Sequence, residues 1–366
     1  MKVMHISTQE KWGGGEQQLL YLIQHLENVL HIVFCPYHAP LHAKAAQLGI
    51  KTFPFTTVFS WLQNLTLPYR IWSLVRQNQP DVIHAHDSKA HTLVWLASCL
   101  WRIKTPLIVS RRVTLGKHRN YLSRIKYNHP SIVYYICVSE AVRHSLQKVV
   151  KQNEKLKVIY SGIHPSRFPY RSPINYIRDE FQIPQHIRII GNIASLVPAK
   201  DYATFLTTAS LLIQQRSDLR FFIVGEGPER KKLEELAQQL NINNYVIFTG
   251  FRKDIENILP SFDIFLFTSQ SEGLGTIVLD AMVCGVPVVA TRAGGIPEMI
   301  HHPENGLLAD PGDAAALAEA VSRLLEDETL RKKITRRASA WVKEFEASRM
   351  ATLTFKIYKK TVNINP

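Results

Sequence analysis

Ser269-Gln-Ser-Glu272-Gly273-Leu274-Gly275-Thr276-Ile-Val-Leu-Asp280-Ala-Met-Val-Cys284-Gly285-Val-Pro287-Val-Val-Ala-Thr291 is the stretch from which the fold is read. Just ahead of it, Asp263-Ile-Phe-Leu-Phe-Thr268 is a short apolar run with strand character. A carboxylate and two glycines follow, and then an apolar run with helical spacing from near Thr276. Beyond Gly285 and Pro287 the chain returns to a strand. This strand–loop–helix–strand unit puts Glu272 at the carboxyl end of a strand, the edge at which open α/β sheets bind ligands. A helix start offers unpaired N–H groups and a positive dipole end to an anion. Gly273 and Gly275 let a ligand approach the backbone closely. The reading is a site for something phosphorylated, with Glu272 beside it.

The segments upstream repeat the pattern. Arg188-Ile-Ile-Gly191-Asn-Ile-Ala194 reads as a strand ending in Ser195-Leu-Val-Pro198-Ala-Lys200-Asp201, followed by a helix carrying Phe205, Leu206, Leu211 and Leu212. Leu219–Val224 is a strand that enters Gly225-Glu-Gly227-Pro228-Glu229. A helix over 230–240, a strand over 245–248 and the turn Gly250-Phe251-Arg252 come next, then a short helix over 254–259. Downstream lie Gly294-Gly295-Ile-Pro-Glu298, amphipathic helices over 314–326 and 330–345, and a helical tail over 347–358.

A separate βα series opens the chain. A strand over 1–7 enters Trp12-Gly13-Gly14-Gly15-Glu16, and a helix with Leu19, Leu20, Leu22, Ile23 and Leu26 leads to a strand over 32–35. The dinucleotide fingerprint fails here, because Gln18 stands where its third glycine belongs and no acid closes the second strand. Helices are expected over 41–48, 68–76, 90–101 and 139–150, the last capped by Ser139. Strands are expected over 51–55, 81–87, 106–110 and 131–138, with a strand and turn over 157–164. His84 and His86 alternate along one strand, a spacing that fits one packed in the core and one capping the turn. With no third ligand nearby in sequence, a metal is not expected there.

Residues 165–187 hold four prolines and no clear period, so a domain boundary is placed there. The expected divisions are 1–165, 166–345 and a C-terminal helix over 346–366. The fold class is α/β, with two Rossmann-like doubly wound domains facing each other across a cleft.

Composition fits a soluble globular chain, with 46% hydrophobic and 20% charged residues. Cys35, Cys99, Cys137 and Cys284 have no metal or redox spacing and read as buried thiols in a reducing compartment. Residues 1–165 carry 20 Lys and Arg against 7 Asp and Glu, a balance of +13, whereas 166–366 carry 24 against 23. The basic half calls for an anionic partner. Residues 111–129 concentrate this charge in Arg111, Arg112, Lys117, His118, Arg119, Arg124, Lys126 and His129, interleaved with Tyr121, Leu122, Ile125 and Tyr127. An anionic membrane surface, a phosphate-bearing acceptor and a merely solvated loop all fit. Nucleic acid is not expected, since no recognition motif is present. Neither a signal peptide nor a membrane span is read.

The 271–291 stretch followed by Gly294-Gly295-Ile-Pro-Glu298 resembles the donor-site signature of retaining glycosyltransferases of family 4, which have the GT-B fold. Gly13-Gly-Gly-Glu16, Val138-Ser-Glu-Ala-Val, Leu196-Val-Pro-Ala-Lys200-Asp and Gly225-Glu-Gly-Pro-Glu fit the same family in order. The resemblance implies that Glu272 contacts the transferred sugar, Lys200 neutralises a diphosphate and Asp280 holds the ribose. Gly14, Gly15, Ser195, Gly225, Gly273, Leu274, Gly275 and Thr276 would line the donor, with Phe251 and Arg252 against the base. The last helix would cross back to the first domain.

Three departures stand out. Asp280 replaces the family's second glutamate, and Ser195 replaces an arginine of the diphosphate clamp, leaving Arg252 or Arg292 to compensate. Where several members have a donor-facing histidine after the strand at 106–110, this chain has Arg111-Arg112, so either Arg112, His86 or His118 takes the role or the site is altered. Without an Asp-x-Asp motif, no metal or other cofactor is expected. The expected activity is retaining transfer from a nucleotide sugar, by default a UDP-sugar, to a lipid-linked or lipopolysaccharide-type acceptor. The expected place is the cytoplasmic membrane face. The competing expectations are an epimerase or a non-catalytic nucleotide-sugar-binding protein of the same fold.

Overall fold

The computed structural model describes residues 1–56, 60–116 and 121–364, so Lys117, His118 and Arg119 of the basic segment lie outside the described residues. The chain forms two compact units, one of residues 1–162 with 347–366, the other of residues 163–346.

The first unit is built on seven strands: β1 (Lys2–Ile6), β2 (Leu30–Pro36), β3 (Lys51–Phe55), β4 (Val82–Ala85), β5 (Leu107–Arg111), β6 (Ile132–Cys137) and β7 (Leu156–Val158). Their order is β3-β2-β1-β4-β5-β6-β7, with every pairing parallel. The second unit holds β8 (Arg188–Ile193), β9 (Leu219–Val224), β10 (Val246–Gly250), β11 (Ile264–Phe267), β12 (Val288–Thr291) and β13 (Leu307–Ala309), also all parallel, in the order β10-β9-β8-β11-β12-β13. These are the two doubly wound Rossmann-like sheets of the GT-B fold. In each sheet the winding direction reverses, between β1 and β4 and between β8 and β11. Loops leaving the strands diverge there and open a crevice at the carboxyl edge.

Most strand residues in both sheets are buried, as parallel sheets covered by helices on each face require, although one face of the first sheet also buries His5, His31 and His84. In the second unit Phe205, Phe221, Ile264, Leu266 and Val289 pack in one fully buried core. In the first unit, the helix Ala347–Ile364 lays Met350, Ala351, Ile357 and Tyr358 against Val3, Leu22, Val82 and Ile108. The stretch from 165 to 187 is ordered into the second unit rather than left as a linker. Phe168, Ile177 and Ile183 are buried, and Arg178 is bound to Asp263 at 2.9 Å.

Three local expectations are corrected. A helix expected to start at Pro68 runs over Ser60–Asn78 with the proline inside it, so the proline does not mark its start. The segment Tyr121–Tyr127 is a short helix, its period hidden by its brevity. Cys99 is exposed, unlike the other three cysteines, because the turn of the helix Ser88–Trp101 that buries Ala97 and Ser98 points Cys99 and Leu100 outward.

Candidate active site

In the second unit the switch point between β8 and β11 brings together Lys200 and Glu272, two of the expected site residues, while Gly225, Phe251 and Arg252 lie on the loops after β9 and β10. β8 leads into the 310 turn Pro198–Lys200, and β11 leads into the loop carrying Glu272. The two loops are tied together by backbone and side chain. Thr268 Oγ1 donates to the Lys200 carbonyl at 3.2 Å and the Asp201 carbonyl at 3.0 Å, and the Gln270 N–H donates to the Ala199 carbonyl at 2.9 Å. Ser269 Oγ donates to Glu272 Oε1 at 3.0 Å. Lys200 Nζ makes an ion pair with the same oxygen. The cation also lies 5.2 Å from the centre of the Phe267 ring. Both side chains are largely buried, at 21% exposure for Lys200 and 10% for Glu272.

Gly294 explains why a Gly-Gly pair follows the signature. Its φ is +53°, and an added Cβ would stand 1.8 Å from the Glu272 carbonyl oxygen. The loop after β12 therefore passes directly over the Glu272 backbone and fixes it. Gly275, at φ +86°, begins the helix Thr276–Cys284, and no side chain caps that start. The Val278 N–H turns back to the Gly275 carbonyl at 2.9 Å, so the Thr276 and Ile277 N–H groups and the positive dipole end are what that helix start offers an anion. Leu274 is buried beside it.

Asp280, on the next turn of the same helix, is 8% exposed and faces Arg167, whose Nη1 lies 3.7 Å from the carboxylate. Burial pushes its pKa up to about 6, with Arg167 opposing. Ser195 is exposed at the end of β8. Gly225 lets the loop after β9 cross the Ala194 carbonyl, which would be 2.0 Å from a Cβ there. Phe251 is 66% exposed. Arg252 grips Glu180 at 2.5 Å and Asp254 at 2.6 Å, so its charge is already matched within the chain. Arg292 approaches Asp310 at 3.7 Å.

In the first unit the corresponding switch point lies between β1 and β4. Asp87 spans it, accepting from the Thr8 N–H at 2.6 Å and Thr8 Oγ1 at 2.7 Å while capping the helix Ser88–Trp101 through the Ala90 N–H at 2.8 Å. Gly14 and Gly15 open the helix Gly14–His25, whose start likewise has no side-chain cap. The Arg112 side chain runs beside Gly15 and reaches Ser161 Oγ at 3.5 Å. Burial lowers its pKa to about 10, with nearby Glu16 opposing, so it stays cationic at neutral pH. Burial raises the Glu16 pKa, opposed by its own backbone N–H and by Arg112. Gln18, in the position of the missing third glycine, forms a two-way amide clamp with Gly162. Its Nε2 donates to the Gly162 carbonyl at 2.6 Å and its Oε1 accepts from the Gly162 N–H at 2.6 Å.

His86 and His84 are both buried, and so are His5 on β1 and His31 on β2. Strand register puts His5 opposite His84 and His31 opposite Val3, so all four imidazoles share one face of the sheet. Ring nitrogens of His5, His84 and His86 lie within 4.8 Å of one another. The third histidine that sequence spacing could not supply comes from a neighbouring strand. Its signal was His5, a polar residue next to the last position of the first strand, after apolar Val3 and Met4.

Two family models match the chain: Glycosyltransferase Family 4 over residues 12–167 and Glycosyl transferases group 1 over residues 174–341. Among curated relatives, N-acetyl-alpha-D-glucosaminyl L-malate synthase of Bacillus anthracis is 26% identical over 77% of this chain and 74% of its own. Lipopolysaccharide core biosynthesis glycosyltransferase LpsD of Rhizobium meliloti is 24% identical over 92% and 91%. Among solved structures, Anabaena Alr3699/HepE in complex with UDP and glucose is similar with a TM-score of 0.87 at 24% identity, covering 98% of this chain and 100% of that one.

Proposed function

This chain belongs to the group 1 glycosyltransferases, with a family 4 N-terminal half, and from that premise we propose that it transfers a hexosyl or N-acetylhexosaminyl group from a UDP-sugar to a lipid-linked or lipopolysaccharide-type glycan with retention at the anomeric carbon. The observation that carries the donor reading is the Lys200–Glu272 pair beside the uncapped start of the helix Thr276–Cys284. A cation and helix-start amides suit a diphosphate, and a carboxylate next to them suits the sugar attached to it. The UDP-sugar preference is supported by likeness to a structure that holds UDP and glucose. The acceptor class is supported by the names of the lipopolysaccharide core relatives.

In the proposed step the bond between the anomeric carbon and the diphosphate oxygen breaks, and that oxygen keeps the electron pair. Lys200 and the helix-start amides stabilise the charge that develops on it. Glu272 stabilises the cationic sugar ring. The acceptor hydroxyl oxygen bonds to the anomeric carbon, and its proton passes to the departing phosphate oxygen. Asp280 accepts from the ribose hydroxyls. In this reading the chain's own cations neutralise the diphosphate and no resident metal is required.

Contact with an anionic membrane belongs to the same proposal. Between Glu27 and Glu140 the only acids are Asp81 and Asp87. Tyr121, Leu122 and Ile125 on the helix Tyr121–Tyr127 are exposed next to Arg124 and Lys126. Basic residues interleaved with exposed apolar ones suit a surface-lying element. Among the described residues, no helix is long and apolar enough to cross a membrane. The activity is tested by release of UDP from UDP-glucose, UDP-galactose and UDP-N-acetylglucosamine, expected for the wild type and lost in Glu272→Ala.

A further inference from the structure

His5, His31, His84 and His86 are not a loose cluster. His31 Nε2 lies 3.1 Å from the Leu26 carbonyl oxygen, which only accepts. That nitrogen therefore carries the proton, and in a neutral imidazole His31 Nδ1 is left as an acceptor. His5 Nε2 lies 2.9 Å from His31 Nδ1, so His5 donates there and its Nδ1 becomes an acceptor in turn. His86 Nε2 lies 3.0 Å from His5 Nδ1 and must donate to it. One backbone carbonyl thus sets the tautomer of three rings in series, and the series ends at His86 Nδ1 with a free lone pair.

That atom is buried and has no hydrogen-bond partner among the described residues. His86 lines a small pocket at the carboxyl edge of the first sheet, together with Gln18, His84, Ser110, Arg112 and Ser161. His84 cannot complete the series, because its nitrogens are engaged by Tyr358 Oη at 2.5 Å and Ser110 Oγ at 2.8 Å. Burial, and then the neighbouring rings, hold His5 and His86 neutral, with Arg112 adding to the effect at His86. An unpaired buried acceptor is costly unless a bound water or a ligand satisfies it.

We infer that the Leu26–His31–His5–His86 series fixes His86 Nδ1 as the hydrogen-bond acceptor for a sugar hydroxyl in this pocket, with His5 and His31 acting as positioning residues. The inference rests on the glycosyltransferase reading for the identity of the ligand, but the tautomer pattern does not depend on it. A metal ion held by His5, His84 and His86 is the opposing arrangement, since it would consume the same lone pairs.

The test is nitrogen-detected NMR of the 15N-histidine-labelled full chain, with assignments from single histidine variants. The unliganded protein is expected to show His31, His5 and His86 all protonated at Nε2. Protonation of His86 at Nδ1, or stoichiometric zinc binding that His5→Phe abolishes, overturns the inference. UDP, then UDP-glucose, UDP-galactose and UDP-N-acetylglucosamine are added in one arm. Free glucose or galactose with UDP is added in the other. Movement of the His86 Nδ1 signal with a UDP-hexose but not UDP assigns the hydroxyl to the donor, and movement only with a free sugar assigns it to the acceptor. No movement in either arm overturns the inference. His31→Phe is expected to release the tautomer lock at His86, seen as a mixture of protonated nitrogens in a chain that still melts cooperatively. His86→Asn, which keeps an oxygen acceptor near the Nδ1 position, is expected to restore sugar affinity that His86→Phe loses. Equal affinity of His86→Phe and wild type for every sugar probe counts against it.

Discussion

Lys200 and Glu272 are each other's partner in the unliganded chain, a cation from the loop after β8 paired with a carboxylate from the loop after β11. The proposed donor site is therefore self-neutralised by this pair. In that proposal a diphosphate would draw Lys200 away from Glu272 and leave the carboxylate free to face the sugar. Ser269 keeps Glu272 in place meanwhile, through a hydrogen bond of 3.0 Å.

Lys200→Ala should weaken UDP binding. A hydrogen bond to a charged group contributes about 1.5–3 kcal/mol, equivalent to a rise in Kd of roughly 10- to 150-fold. Isothermal titration with UDP checks this, alongside a melting curve to show that the variant is folded. Unchanged affinity would remove Lys200 from the diphosphate site.

Asp280 should make both stability and donor binding depend on pH. Its folded pKa is about 6, above the value of about 3.9 for an unperturbed aspartate. The folded chain thus holds this proton where the unfolded chain has lost it. The group costs nothing below pH ~4 and destabilises the fold progressively as pH rises from ~4 to ~6, by an upper bound of about 3 kcal/mol. Asp280→Asn should melt higher than wild type at pH 7.5 and equally at pH 4. Ribose contact runs the other way, because the carboxylate is the better acceptor. UDP affinity of the wild type should fall as pH drops through about 6, and that step should be absent in Asp280→Asn.

Gly294→Ala should damage the site through the backbone. The new Cβ meets the Glu272 carbonyl at 1.8 Å in a left-handed conformation, so destabilisation of at least about 1–3 kcal/mol is expected, with loss of turnover. Gly116→Ala is the control, since a Cβ there meets nothing within 4 Å. Urea denaturation of the two variants compares them directly.

Binding to vesicles containing anionic lipid should be salt-sensitive and should weaken severalfold in the double variant Arg124→Glu with Leu122→Ser. Each basic residue near such a surface contributes about 1 kcal/mol. Flotation at low and high salt reads this out. Equal flotation with neutral and anionic vesicles would argue against the basic face as the contact.

Much of this fold was legible because its signals are local. Leu219–Val224 and Ala314–Glu326 run over the residues their periodicity marks. The 269–291 stretch announces its own strand, loop and helix. The functional chemistry was less legible because it is assembled across the sheet. His5 lies on β1, His31 on β2 and His86 just past the end of β4, so no spacing in sequence joins them, and a rule that looks for a third ligand nearby misses His5. Gln18 looked like a failed fingerprint, and its bidentate clamp on Gly162 is visible only when the partner 144 residues away is known. The segment over 165–187 lacked a period because its buried residues pack singly onto the second unit rather than along one helical face.

The most direct measurement is a paired assay of Glu272→Ala for UDP-hexose turnover and for UDP affinity. If Glu272 serves the sugar and Lys200 the diphosphate, turnover falls by about 10²–10³, the size seen when one transition-state stabiliser is removed. UDP affinity stays the same or rises, because Lys200 is released from its ion pair. Turnover that survives the substitution, or UDP affinity that collapses together with turnover, would contradict that division of labour.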